Sequence, residues 1–210
     1  MKKFVALFLA LLLALPLLSS CARLNTDGLL TAAPDLIRRS AFFNDIYYGA
    51  GIPYNSLAEP AIGVYYYADP DFLSEHGFST VDELKAMTQE VFSSAYCEDI
   101  FQYAFSGFAA EGGYVYARYS SSQAVNLRDE EETILVSSAQ EGMLNQVGST
   151  AYHYDTLRIA EVGGDYAKVA ITVTVTYLPD EEHPDGYTQE DELLIRFVYQ
   201  DGWRIDSATY

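Results

Sequence analysis

Apolar residues recur at helical spacing through the first half of the chain. They predict a helix over 35–48, in which one face carries the side chains that a core would bury. The apolar stripe of this helix consists of Leu36, Ile37, Phe43, Ile46 and Tyr47. A break is predicted at 69–71, and a second helix begins after Thr80, which forms a capping box with Glu83. The apolar residues of segment 96–105 predict a third helix or a continuation of the second.

From Gly112 onward the pattern changes to alternation of apolar and polar residues, which is typical of strands. Three long strands are predicted over 152–162, 166–178 and 189–200, and the turn signal 163–165 joins the first two as a hairpin. Shorter strands or extended segments are predicted at 61–68, 114–119, 124–128, 133–136 and 203–206. Helices followed by antiparallel strands predict an α+β domain, with the N-terminal helices packed on a curved antiparallel sheet.

The N-terminus has the pattern of a secretory signal peptide. Lys2 and Lys3 precede 15 uncharged, mainly apolar residues, and small residues follow up to Cys21. A membrane-spanning helix needs about 20 apolar residues, so this stretch is short for one. Segment 18–21, Leu-Ser-Ser-Cys, resembles the lipobox of bacterial lipoproteins. The alternative is an uncleaved anchor helix that contains an incidental cysteine.

The lipobox resemblance implies cleavage after Ser20 and a diacylglycerol on Cys21, with palmitate-like acyl chains as the anchor. The chain is then divided into a signal peptide 1–20, a lipidated tether 21–33 and one extracytoplasmic α+β domain 34–210. Two or three acyl chains make the anchor durable, because each buried methylene contributes about 0.8 kcal/mol. The expected location is the extracytoplasmic face of the cell membrane.

Charge narrows the choice of partners. The chain carries 12 basic and 30 acidic residues, a net charge of −18, and removal of Lys2 and Lys3 leaves −20. Nucleic acid is excluded as a partner, because phosphate binding needs clustered Lys and Arg. Anionic headgroups should repel such a surface, so the lipid rather than a basic patch would hold the protein at the membrane.

The end of the chain carries a second resemblance. A long strand, a tight turn at Asp201-Gly202 and a terminal strand that starts Trp203-Arg204-Ile205 resemble the end of NTF2-like (SnoaL-like) domains. The resemblance implies a cone of three or four helices inside a bent sheet, often with a pocket at the wide end. The chain departs from that pattern in its tyrosine-rich segment before the capped helix.

Candidate catalytic groups are few. The sequence contains no GxSxG, HExxH, phosphate-loop or dinucleotide motif, and no metal or cofactor is expected. His153 and Asp155 lie two residues apart on one predicted strand, so their side chains share a face, opposite Tyr152 and Tyr154. If the tyrosines pack inward, His153 and Asp155 are exposed and inert. If the faces are reversed, the pair lies in the cone as an acid–base candidate.

Cysteine and tyrosine supply the remaining candidates. Cys97 is predicted to be a small buried hydrophobe rather than a nucleophile, since Glu98 and Asp99 are acidic neighbours. Tyrosine is abundant, with 18 residues against one tryptophan. Three of them stand side by side and are the candidate binding residues: Tyr65, Tyr66 and Tyr67. They cannot all face one way in a strand, so at least one side of this segment presents phenol groups to solvent or to a partner.

The leading interpretation is a lipoprotein whose domain binds an unknown small molecule or an envelope protein without catalysis. One alternative is an NTF2-like enzyme that uses His153 and Asp155 in acid–base chemistry. The other is an inhibitor of a cell-wall hydrolase, with the acidic, tyrosine-rich surface set against a basic cleft. In general character the chain resembles secreted inhibitors of peptidoglycan endopeptidases.

Replacement of the predicted lipid attachment site tests the anchor. The Cys21→Ala variant should accumulate as an unprocessed precursor or leave the membrane, because no thiol remains for the lipid. Cell fractionation with detergent phase partition measures this, and Cys97→Ala is the matched control that should stay anchored. Unchanged processing and membrane association of Cys21→Ala would show that the anchor is wrong.

Overall fold

The computed structural model describes residues 24–110, 113–125, 127, 132–139, 147–180 and 183–210. The predicted signal peptide and Cys21 lie outside these ranges. The helices are α1 (Leu29–Tyr48), α2 (Pro70–His76), α3 (Val81–Gln89) and α4 (Ser94–Phe105). The strands are β1 (Tyr65–Tyr67), β2 (Phe108–Ala110), β3 (Gly113–Val115), β4 (Tyr119–Ser121), β5 (Ile134–Ser137), β6 (Val147–Val162), β7 (Tyr166–Tyr177), β8 (Tyr187–Tyr199) and β9 (Trp203–Ile205).

The strands form antiparallel sheets of different size. The large sheet has the order β6-β7-β8-β9, the small sheet has the order β1-β5-β4, and β2 pairs with β3 alone. Helices come first along the chain and the long strands come last, so the predicted α+β class is confirmed. None of the described helices combines the length and the apolar character that a bilayer crossing needs.

Helix α1 lies in the centre of the core. It begins at Leu29, six residues before the predicted start, so the last residues of the predicted tether belong to the folded domain. Leu29, Ala33 and Ile37 follow each other at four-residue spacing and are fully buried. This apolar stripe favours a helix that starts before Pro34. Burial of Leu29 in the core stabilises that earlier start. Helix α1 therefore begins within the segment predicted as tether.

Helix α2 is absent from the prediction, which treats 69–71 as a break. In the structure Asp69 is the N-cap and accepts a hydrogen bond from the Asp71 amide (2.9 Å). Pro70 occupies the first helical position, where its missing amide costs nothing. The same residues that end an extended segment therefore also begin a helix, and Leu73 buries the apolar side of that helix.

Two caps define the next helices. The predicted capping box is confirmed: the Glu83 amide donates to Thr80 Oγ1, and the Thr80 amide donates to Glu83 Oε2, each at 3.2 Å. The Glu83 carboxylate accepts hydrogen bonds from the Ser79 amide and hydroxyl and from the Thr80 amide, and these bonds hold the pKa of Glu83 below its usual value. Ser93 caps α4 by accepting from the Tyr96 amide (3.0 Å), so α3 and α4 are separate helices.

The predicted alternation of the long strands is confirmed in β7. Val169, Ile171 and Val173 are buried on the helix-facing side, while Thr172 and Thr174 alternate with them and are less buried. The short strand predicted at 124–128 is wrong for the residues of that segment that the structure describes. Ala124 and Val125 lie in a turn, in which the Val125 amide donates to the Ser121 carbonyl (3.3 Å).

Strand β6 contains a large bulge. His153 pairs with Thr172 and Arg158 pairs with Ala170, so four residues of β6 lie opposite a single residue of β7. The Thr156 hydroxyl closes the gap, since it donates to the His153 carbonyl (2.7 Å) and accepts from the Thr172 amide (2.8 Å). The strand therefore bends without leaving these backbone groups unpaired.

The buried position of Cys97 leads to a labelling test. Its side chain is 1% exposed, and burial raises the pKa of the thiol to about 12, although Arg204 lowers it in part. In the Cys21→Ala variant it is the sole thiol, and it should resist a maleimide at pH 8 until the protein is denatured. The Ala95→Cys, Cys97→Ala variant carries an exposed thiol on the same helix and should react at once. Equal rates in the two folded variants would contradict the burial.

Candidate functional site

An open pocket of about 470 Å³ lies at the C-terminal end of α1. The second half of α1 and the loop after it form one side. The first residues of β6 and the last residue of the chain form the other. Its polar and aromatic lining residues are Asn44, Asp45, Ser149, Thr150, Tyr152 and Tyr210. Their side chains supply hydroxyl, amide, carboxylate and phenol groups around one opening.

The wall that contains Tyr210 is held in place by Thr209, which is fully buried. The Asn44 amide donates to Thr209 Oγ1 (2.7 Å), and the Ser40 hydroxyl lies 2.8 Å from the same oxygen. From the opposite side, the Tyr152 hydroxyl donates to the Thr209 carbonyl (2.7 Å). Helix α1 and strand β6 thus position the end of the chain between them.

The aromatic side of the pocket continues into a tyrosine cluster. The ring of Tyr48 lies 5.0 Å from that of Tyr210 and 5.2 Å from that of Tyr103. Burial raises the pKa of Tyr48, Tyr96 and Tyr210, and raises that of Tyr152 to about 12. All of these phenols therefore stay protonated at neutral pH, when they act as neutral hydrogen-bonding groups.

The rim of the pocket depends on how α1 ends. The last carbonyls of a helix have no partner within the helix, and here they are buried. Arg118, which is 4% exposed, donates through Nη2 to the Gly49 carbonyl (2.5 Å) and through Nε to the Ile46 carbonyl (3.1 Å). The Tyr119 hydroxyl donates to the same Ile46 carbonyl (2.6 Å) and accepts from the Ile52 amide (3.1 Å). Arg118 and Tyr119, at the start of β4, therefore supply hydrogen bonds to the last carbonyls of α1 and to the loop that follows the helix.

This arrangement needs a glycine beside the guanidinium. Gly51 has φ +83°, and a Cβ there would lie 2.4 Å from Arg118 Nη2 and 2.9 Å from the Tyr119 hydroxyl. None of the ion pairs among the described residues includes Arg118, and its Nη1 has no hydrogen-bond partner there. The carbonyl dipoles at the C-terminal end of α1 carry partial negative charge and offset the buried cation.

Charge in the pocket itself comes from Asp45. It is the one ionisable lining residue, apart from the tyrosines, within the described part of the chain. Asp45 is exposed, and its Oδ1 accepts from the Ala50 amide (3.2 Å) at the start of the loop. With the net charge of −18, this carboxylate disfavours an anion in the pocket and favours a neutral or cationic molecule.

The predicted catalytic pair lies elsewhere. Tyr152 and Tyr154 pack against the core, so His153 lies on the outer face of the large sheet, where its Nε2 is 2.9 Å from Thr174 Oγ1. Asp155 is exposed within the bulge of β6. Neither residue lines the pocket. Of the two arrangements that the sequence allows, the structure has the one with the tyrosines packed inward, with His153 half-buried and Asp155 exposed.

The three adjacent tyrosines do not form one site. Tyr65 donates its hydroxyl to the Ala117 carbonyl (3.0 Å), and Tyr66 packs its ring 5.0 Å from that of Tyr54. Tyr67 is 45% exposed and lines, with Tyr66, a second and smaller pocket of about 340 Å³. Tyr65 therefore has a structural contact, while Tyr66 and Tyr67 are the members of the set beside a cavity.

The sequence alone did not identify the residues that build the pocket at the C-terminal end of α1. Ser40 and Asn44 stand four residues apart on the buried face of α1 and are polar, which is the one signal that marked them. Arg118 gave a similar signal, because it is the one charged residue in the otherwise apolar and aromatic segment 114–119.

Comparison of the chain with protein-family models, with curated proteins and with solved structures finds no match. The described residues contain no group of three or more His, Cys, Asp or Glu side chains placed to hold a metal ion.

Removal of one hydroxyl tests the end of α1. Tyr119→Phe leaves the buried Ile52 amide without its acceptor, and we expect a loss of about 1–3 kcal/mol in the free energy of unfolding. Urea unfolding measures the loss, and the slope should stay unchanged. Tyr114→Phe, at a tyrosine that is 57% exposed, is the control and should change little. An equal effect of the two variants would remove the stabilising role given to Tyr119.

Proposed function

We propose that this protein is a lipid-anchored extracytoplasmic binding protein, which takes a small neutral or cationic ligand in the pocket at the C-terminal end of α1. The lipobox resemblance at Cys21 supports the anchor and the location. Binding without catalysis is the activity proposed for the domain. We also keep the NTF2-like cone as the proposed architecture, because helices precede a large antiparallel sheet whose apolar face packs in the same core.

The pocket is the observation that carries the proposal. A volume of about 470 Å³ lies within the range of small-molecule sites, which usually combine apolar walls with a few placed polar groups. Leu178, Tyr152 and Tyr210 supply the apolar area here. Asn44 and Asp45 supply a hydrogen-bonding edge on a helix whose end is fixed by buried contacts. A site on such a rigid element loses little conformational entropy when a ligand binds.

Charge selects the class of ligand. An ammonium group could pair with Asp45 and contact a tyrosine ring, and hydroxyl groups could bond to Ser149 or Thr150. A carboxylate or a phosphate would meet Asp45 without a lining Lys or Arg to balance it. Amines and neutral polyols are therefore the classes proposed for the screen.

Thermal unfolding of the mature lipidated protein in detergent tests the pocket with three panels of compounds: primary amines, neutral polyols and carboxylates. A ligand at 100 times its Kd stabilises by about 2.7 kcal/mol. In a chain of this size that raises Tm by about 5–10 °C. We expect such shifts from amines or polyols and none from carboxylates.

A pair of variants locates the binding. Ala41→Leu adds bulk to the α1 side of the pocket and should abolish the shift. Ala151→Leu adds the same bulk to the exposed, opposite face of β6, next to Thr150 and Tyr152, and should leave the shift intact. Shifts that come from carboxylates, or that survive Ala41→Leu, would contradict this pocket as the site.

A further inference from the structure

We propose that the anchored domain lies directly on the bilayer surface, with one defined face toward the headgroups. This face, the anchor face, consists of the N-terminal end of α1 with residues 24–30, and the β8–β9 turn with residues 199–203. The inference rests on the lipidation of Cys21 in the proposed function. It adds the orientation of the domain and, through it, the side from which the ligand arrives.

The chain between the lipid and the folded core is very short. Leu24 already packs against the core, and the Asp27 amide donates to Asn25 Oδ1 (2.8 Å) in a local turn. The Leu29 amide then donates to the Thr26 carbonyl (3.1 Å) as the helix begins. Only three peptide units separate Cys21 from Leu24, and they span at most about 11 Å. The lipid therefore holds the N-terminal end of α1 next to the headgroups.

The β8–β9 turn is held beside that end of the helix. The Trp203 ring nitrogen lies 3.5 Å from the Asp27 carbonyl, and Trp203 is 7% exposed. The ring of Tyr199 packs edge-on against Trp203 at 5.4 Å and is 60% exposed. Leu30, on the first turn of α1, is 42% exposed. An exposed tyrosine and leucine beside the anchor suit the interfacial zone of a bilayer, where Tyr and Trp rings are enriched.

Charge on the anchor face sets how deep this contact goes. Asp27 and Asp201 are exposed on it, and Arg204 of the same hairpin directs its donors to the Gln89 and Trp203 carbonyls. The face has no excess of cations to attract anionic lipid, so the tether rather than electrostatic attraction brings it to the surface. Contact at the headgroups, without insertion into the acyl chains, is the expected mode.

The position of the pocket follows from the length of α1. The helix has 20 residues and is therefore about 30 Å long, with the anchor face at its N-terminal end and the pocket at its C-terminal end. Leu29 and Asp45 are about 24 Å apart along the axis. The pocket then lies at the end of the domain away from the bilayer, so the proposed orientation has its ligand arrive from the aqueous side rather than from the membrane.

Fluorescence quenching tests this orientation on the mature lipidated protein in phosphatidylcholine vesicles. Part of the lipid carries a nitroxide on its headgroup, which quenches nearby fluorophores. The single tryptophan, Trp203, reports on the anchor face without any substitution. A dye on Tyr199→Cys reports on the same face, and a dye on Leu178→Cys, at a 48% exposed lining residue, reports on the pocket end. We expect loss of fluorescence from Trp203 and the dye at 199, and little loss from the dye at 178.

A longer tether provides the matched control. Twenty Gly and Ser residues inserted between Ala22 and Arg23 give a flexible link of about 25 Å, which should abolish the preference for the anchor face. Equal quenching at 178 and 199, or quenching that survives the insertion unchanged, would overturn the proposed orientation. Flotation of the vesicles separates the two proposals. A protein that does not float with the vesicles has no lipid anchor, which contradicts the proposed function. A protein that floats but shows a different quenching pattern contradicts only the proposed orientation.

Discussion

The last turn of α1 ends inside the protein, where its carbonyl groups need hydrogen-bond donors that water cannot supply. Arg118 and Tyr119 provide them from the start of β4. This contact joins the small sheet to the helix that also packs on the large sheet, so both sheets share one core. It also fixes the loop from Gly49 to Ile52. The pocket has a defined rim because the helix has a defined end.

Helix α1 therefore has two distinct ends with distinct tasks. Its N-terminal end begins in the core at Leu29. Leu24 also packs on the core, so only two residues separate Cys21 from the packed part of the chain. Its C-terminal end carries Asn44 and Asp45 into the pocket and holds the end of the chain through Thr209. One helix thus relates the proposed anchor to the proposed site. A change in the length of the tether and a change in the pocket should act independently, since they lie at opposite ends.

Local signals predicted much of the fold, and long-range contacts decided the rest. The capping box at Thr80 and the alternation in β7 depend on neighbouring residues, so the sequence alone predicted them. Helix α2 was missed because Asp69 and Pro70 signal both a break and a helix start. The pocket was missed because Asn44, Thr209 and Tyr152 come from distant segments. Their polar side chains acquire a role only when α1, β6 and the end of the chain meet.

The bulge of β6 has a consequence for contacts between copies of this protein. Strand β6 has 16 residues and forms an outer edge of the large sheet, the kind of edge that pairs with a neighbouring chain. The bulge interrupts the pairing register between His153 and Arg158, and smaller register shifts lie on either side of it. Exposed Asp155 and Arg158 lie at this interruption. Edge-to-edge pairing between copies of this protein is therefore disfavoured along β6.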